Sequence, residues 1–229
     1  MGKGKKAAKV SNHAVDAGRG EEDLAWAGPR WDGATPEQEE ELGRIREAVR
    51  SRLSGHRLEH VLGVAASARR LAARFGADPF MAEAAGLLHD WDKKLDRDEL
   101  WAKAIRYGVV PEQADGRMFP LLHAWTAAAS LPEVFPELPR EVFRAVGCHT
   151  VGDVAMSALD KVVYIADAIE PGRSFDGVGE LRELARTGSL DALFAACVRQ
   201  SIEVPLAQGR YLYPGAVRVW NELCVPKAL

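Results

Sequence analysis

Six histidines occur in the sequence, and four of them, His60, His89, His123 and His149, fall on or beside segments of helical apolar periodicity. His89 is followed directly by Asp90, and Asp167 lies among Val162, Val163, Ile165, Ala166 and Ile169. A single histidine near a core is usually a hydrogen-bonded imidazole with no further role. An aspartate on an apolar helix face is different, because it loses solvation and stays ionised only beside a cation or strong donors. Four such histidines with two such aspartates form a donor set suited to iron, manganese, zinc or similar ions. His13, near the N-terminus, and His56, beside Gly55, stand outside that set.

These residues need rigid elements to bring them together, and the pattern calls for helices throughout. Thr35-Pro36-Glu37-Gln38 combines a cap, a first-turn proline and a capping-box glutamine. Apolar residues then recur at three- and four-residue steps through Leu42, Ile45, Val49 and Leu53, and again through Val61, Val64, Ala68, Leu71 and Phe75, with a break at Gly55. Phe75-Gly76-Ala77-Asp78-Pro79 stops one helix and starts another that runs to His89. Asp96 to Glu99 opens a short helix ending near Gly108, and further helices are expected at about 119–130, 139–148, 157–169, 178–187, 190–208 and 215–223. Alternating strand patterns and internal repeats are absent, so the fold class is all-α: a helical bundle with a metal site in its core.

Residues 1–35 show no periodicity and are expected to form a disordered or loosely packed tail, dispensable for folding and turnover, with Trp26 and Trp31 as docking points. Residues 36–229 would form one domain. Three cysteines without a C-x-x-C spacing disfavour a disulfide framework or thiolate site and fit a reducing cytoplasm. No apolar run approaches the roughly 18 residues of a membrane span. The net charge of -3 argues against a broad nucleic-acid surface while leaving room for a local cationic pocket. Oligomeric state is not written in the sequence, and a homodimer stays open.

Leu87-Leu88-His89-Asp90, preceded by His60 and followed by Asp167, resembles the H…HD…D signature of HD-domain phosphohydrolases. The chain is most similar to the YqeK-like branch, whose members are symmetrical diadenosine tetraphosphate hydrolases. The resemblance runs over roughly residues 42–223. It rests on Arg57 to His60, on Leu87 to Lys94, and on the tract from His149-Thr150-Val151-Gly152 through Asp160-Lys161 to Asp167-Ala168-Ile169-Glu170-Pro171-Gly172-Arg173, continued by Phe175, Gly177-Val178 and Glu180-Leu181-Arg182. One departure is Ala124-Trp125 after His123, where such proteins commonly carry Gly-Pro.

The resemblance implies a dinuclear site, with iron as the family's metal and manganese as the alternative. His60, His89, Asp90 and Asp167 would hold one ion and His123 and His149 the second, bridged by Asp90. The implied reaction cuts diadenosine tetraphosphate in the middle to give two ADP. Phosphate chains need further cations, which directs attention to Lys93, Arg57, Lys161 and Arg173. Lys93 lies three residues past Asp90, on or near the same face, where it would act with Asp90 in catalysis; its alternative is a solvated lysine. Arg57 would meet phosphate or pair with a carboxylate, and Arg173 would clamp phosphate. Ser157 and Asp160 read as a capping box. Trp91 and Trp125 read as core packing rather than adenine stacking. Rival readings are hydrolysis of another nucleotide such as a guanosine polyphosphate or deoxynucleotide, a di-iron oxygenase, and a non-catalytic nucleotide sensor.

Overall fold

The computed structural model of the chain describes residues 22–28, 31–110 and 116–225; His13 and most of the N-terminal segment expected as a tail lie outside them. Among the described residues, ten α-helices follow a short 3-10 turn at Glu22–Ala27: α1 Pro36–Arg52, α2 His56–Phe75, α3 Pro79–Leu88, α4 Arg97–Arg106, α5 Phe119–Val134, α6 Arg140–Cys148, α7 Ala158–Ile169, α8 Val178–Thr187, α9 Leu190–Ala207 and α10 Pro214–Val219. A single π-type turn, Trp220–Cys224, continues α10. No strand occurs among the described residues, and none of the helices is long and apolar enough to cross a membrane.

The helix boundaries follow local chemistry. Thr35 and Gln38 cap α1 reciprocally, and Ser157 and Asp160 do the same for α7, so Asp160 is occupied by capping as its spacing suggests. Gly55, at φ 58°, separates α1 from α2 in a backbone conformation that other residues resist.

Short α3 is the centre of the molecule. Ala82, Ala84, Ala85, Leu87 and Leu88 are all buried, which leaves it no polar face, and α1, α2, α6 and α7 pack around it. Gly86 sets how closely α2 approaches, since a Cβ there would stand 2.7 Å from the Cα of Ala65. Glu83, buried on the same helix, is ion-paired to Arg46 of α1 and, at 3.2 Å, to Arg69 of α2. A second, smaller apolar cluster of Ala104, Met118 and Leu122 joins α4 to α5, with Trp125 and Tyr213 against it.

Within the N-terminal segment, the described turn at residues 22–27 is docked on the core rather than loose. Leu24 and Ala27 of the 3-10 turn are buried in the main core, and the turn packs against α2 and α8. Six residues are too few to display a helical period, so this element leaves no periodic trace in the sequence. Removing residues 1–34 would therefore expose core surface and would not be neutral. Leu24→Ala should lower the stability of the chain by about 2 kcal/mol or more, the usual cost of truncating a buried leucine. Urea unfolding of the two proteins measures it, and equal midpoints would show that the turn does not dock.

Candidate metal centre

The six residues singled out by type come from five helices and meet in one place. His60 lies on α2 and Asp167 on α7; His123 lies on α5; His89 and His149 are the capping residues at the ends of α3 and α6. Asp90 follows in a run of tight turns, in which Trp91 N–H donates to the Leu88 carbonyl and Lys93 N–H to the Asp90 carbonyl, both at 3.0 Å. The next carboxylate, fully buried Asp92, ties that turn to α4 through Lys103 at 2.7 Å. Asp90 is thus held on both sides.

A metal-bound imidazole almost always donates its other ring N–H to a fixed partner, which sets the tautomer and the ring orientation. The Nδ1 atoms of His89, His123 and His149 each face the carbonyl three residues earlier, Gly86 at 2.7 Å, Pro120 at 2.8 Å and Val146 at 2.6 Å. With Nδ1–H donating, each Nε2 points inward as an acceptor. His60 is served differently: its Nδ1 lies 3.1 Å from Oε1 of Glu170, a buried carboxylate just beyond α7.

The inward atoms fall into two groups that share Asp90. In one, His60 Nε2 is 3.1 Å from Asp167 Oδ1 and 3.2 Å from His89 Nε2. Asp90 Oδ2 stands 3.7 Å from His89 Nε2 and 4.0 Å from His60 Nε2. In the other, His123 Nε2 is 3.2 Å from His149 Nε2 and 3.3 Å from Asp90 Oδ1, with His149 Nε2 at 4.0 Å from that oxygen. Ligands bound at about 2.1 Å stand about 3.0 Å apart at right angles and about 3.4 Å apart at tetrahedral ones. The spacing and chemistry of these donors therefore fit a divalent metal, and the cluster is one that could hold such an ion.

Electrostatics divides the donors. Burial, followed by the neighbouring His89 and His123, pushes His149 down to about 3, and burial also lowers His89. Both are neutral and ready to ligate. For His60, burial alone would lower the pKa, but the carboxylates of Asp167 and Glu170 override it and raise the ring to about 9. Burial works against ionisation of Asp90 and Asp167, yet both are held well below the usual carboxylate range, Asp90 by His89, His123 and Lys93, and Asp167 by His60, His89 and Arg173.

Three of the four cations expected to serve phosphate are at the centre. Arg57 contacts Asp90 Oδ2 at 2.7 Å. Arg173 donates to Asp167 Oδ1 at 2.5 Å and to the Asp167 carbonyl at 2.8 Å. Lys93 Nζ lies 3.3 Å from His123 Nε2 and 3.9 Å from Asp90 Oδ1, and burial lowers its pKa. Lys161 is not brought there. It pairs with Asp191 of α9 at 2.6 Å, above the ring of Phe194. Trp91 packs edge-on against Phe135 beneath the guanidinium of Arg52, and Trp125 tilts against Tyr213, so each is a packing residue.

Sequence reasoning missed what Glu170 does. A glycine inside α2 was the available signal: a Cβ on Gly63 would stand 2.7 Å from Glu170 Oε2, so the helix is bare where this carboxylate lies.

Known proteins resemble the chain over the same region. The HD domain family model matches residues 57–172. A symmetrical bis(5'-nucleosyl)-tetraphosphatase of Halalkalibacterium halodurans is 33% identical over 181 residues, 79% of this chain and 96% of that protein. The protein of the same name from Bacillus subtilis is 32% identical over 76% of this chain and 93% of its own length. A solved structure from Clostridium acetobutylicum, described as a predicted HD superfamily hydrolase involved in NAD metabolism, superposes with a TM-score of 0.72 at 31% identity, over 79% of this chain and 95% of that one.

Metal uptake should depend on pH through His60, because only the neutral ring can ligate. Its protonated form dominates below about 9. Raising the pH from neutral towards that value removes the competing proton and should strengthen Mn²⁺ binding, by about tenfold per pH unit for one displaced proton. Titrations of Mn²⁺ into metal-free protein across that range test this, and an affinity independent of pH would mean that His60 is already neutral.

Proposed function

The chain belongs to the HD-domain family, and from that membership we propose that it is a metal-dependent hydrolase that cuts diadenosine tetraphosphate symmetrically into two ADP. The observation that carries the reading is the six-donor cluster with Arg57, Lys93 and Arg173 against it, in a chain that matches symmetrical tetraphosphatases over nearly their whole length. His60, His89, Asp90 and Asp167 would hold one ion and His123, His149 and Asp90 a second, with Asp90 giving one oxygen to each. Iron is our assignment and manganese the alternative, both being suited to imidazole with carboxylate. Bound there, the metal would supply water activated at neutral pH and neutralise phosphate oxygens.

The chain's own groups do the rest. Three carboxylates, Asp90, Asp167 and Glu170, face three cations, Arg57, Lys93 and Arg173, and His60 adds a fourth while it is protonated, so the side chains carry about one net positive charge before any metal or substrate enters. Added metal charge would leave the mouth net positive, which suits a polyphosphate. Arg57 and Arg173 have side chains 40% exposed, so their outer N–H groups are free to take phosphate oxygens in the planar geometry guanidinium favours. Lys93 lies deeper, where an ammonium of lowered pKa can either stabilise developing charge or give a proton to the leaving phosphate.

Product analysis on a panel holding diadenosine tetraphosphate, guanosine polyphosphates, deoxynucleotides and NAD tests the reading. ADP as sole product from the first is expected. AMP with ATP, or no turnover of any dinucleoside polyphosphate, would overturn it, and oxygen consumption would favour the oxygenase reading. Lys93→Ala should lower turnover by about a hundred- to thousandfold, the usual effect of losing one preorganised charge-stabilising group. Its metal content should not change, because a charged ammonium is not a ligand. Kinetics and metal analysis on one sample decide; a rise in KM alone would make Lys93 a ground-state phosphate contact.

A further inference from the structure

Helix α7 delivers Asp167, and the segment after it delivers Glu170 and Arg173, so the end of this helix must be fixed to better than a rotamer. An α-helix leaves its last carbonyls without partners, and these are often met by glycine-rich turns or water. At α7 two arginines meet them. Arg173 Nε donates to the Asp167 carbonyl at 2.8 Å. Arg182, on α8, donates from Nε to the Ile169 carbonyl at 3.0 Å and from Nη2 to the carbonyls of Glu170 at 2.6 Å and Arg173 at 3.0 Å. One guanidinium thus ties together both ends of the loop, and its positive charge sits at the negative end of the helix dipole. The ring of Trp26, in the N-terminal 3-10 turn, lies 5.8 Å from that guanidinium.

What the clamp holds is the Glu170 side chain. Its Oε1 faces His60 Nδ1 at 3.1 Å, and its Oε2 accepts from Gly172 N–H at 2.5 Å. Gly63 and Gly172 flank it so closely that a Cβ on either would lie within 2.9 Å of a carboxylate oxygen. The carboxylate has a single place to be, provided that the loop backbone stays put.

We propose that Arg182 is a positioning residue of the metal centre, acting through Glu170 on the orientation of His60. The inference rests on the metal-centre reading above but not on the substrate. Arg182 bonds backbone carbonyls and makes no hydrogen bond or ion pair to any of the six donors, so it is not itself a candidate ligand. Its effect is on metal affinity, because the carboxylate it places fixes which nitrogen of His60 faces inward.

The experiment measures Mn²⁺ affinity of the full chain, stripped of metal, by electron paramagnetic resonance. Arg182→Ala and Glu170→Gln should each weaken binding by about ten- to hundredfold, the usual range for groups that orient a ligand. The double variant should be little worse than either single one, since both break the same link. Arg182→Lys should not rescue, because an ammonium cannot span three carbonyls as a planar fork does. Guanidinium ion at a sub-denaturing concentration should restore part of the affinity of Arg182→Ala, whereas equal sodium chloride should not, and it should restore none in the double variant, where the Glu170 carboxylate it would place is gone. If Arg182→Ala fails to fold, the cycle runs with Arg182→Lys. Wild-type affinity in a folded Arg182 variant, or additive losses in the double variant, would overturn the proposal. A wild-type protein that binds no Mn²⁺ would overturn the metal reading instead, and one that binds Mn²⁺ but hydrolyses no polyphosphate would overturn only the substrate.

Discussion

A histidine presents one ring nitrogen in a fixed direction when its other nitrogen is held, and the fold of this protein holds the second nitrogen of all four inward-facing rings. His89 and His149 sit at the ends of α3 and α6, where the carbonyls of Gly86 and Val146 would otherwise lack partners, and each ring fills that vacancy with its Nδ1–H. The helix end is completed and the ligand aimed by one hydrogen bond. His123, inside α5, shares the Pro120 carbonyl in the same way. His60 lies mid-helix and takes its partner from another element, which is why the segment after α7 must be fixed as firmly as the helices themselves.

The same arrangement solves the problem of charge in a core. Each donor carboxylate sits against at least one imidazole and one guanidinium, buried Asp90 with Arg57 and half-buried Asp167 with Arg173. Such pairing does not by itself make burial favourable, because desolvating both partners offsets much of their attraction. It does keep both carboxylates ionised, as a metal ligand must be. Keeping charged donors in register in this way costs stability, and it is done beside a close packing of α2 on α3 that Gly86 permits.

The sequence made the helices and the six donors legible because both are local properties: a three-four apolar period, a cap, and a residue type that burial alone cannot justify. It was less informative where position depends on more than one element. Lys161 sits six residues before Asp167, which places it about 240° around α7 and about 9 Å along it, so nearness in sequence did not bring it to the donors. Glu170 and Arg182 act from beyond a helix end and from the next helix, where no period relates them to His60. Leu24 and Ala27 belong to a turn too short to have a period at all.

The pair Ala124-Trp125 shows how a departure from the family pattern can leave the site untouched. A Gly-Pro there would interrupt a helix, since proline lacks the N–H and glycine gives up propensity. In this chain α5 runs unbroken past His123, and Ala124 is buried within it. Trp125 turns away from the donors, onto Tyr213 and the small cluster that joins α4 to α5. His123 keeps its bond to the Pro120 carbonyl, which lies upstream of the change, and its Nε2 remains 3.3 Å from Asp90. What aims His123 is the helical turn before it; the residues after it are free to serve packing on the opposite face.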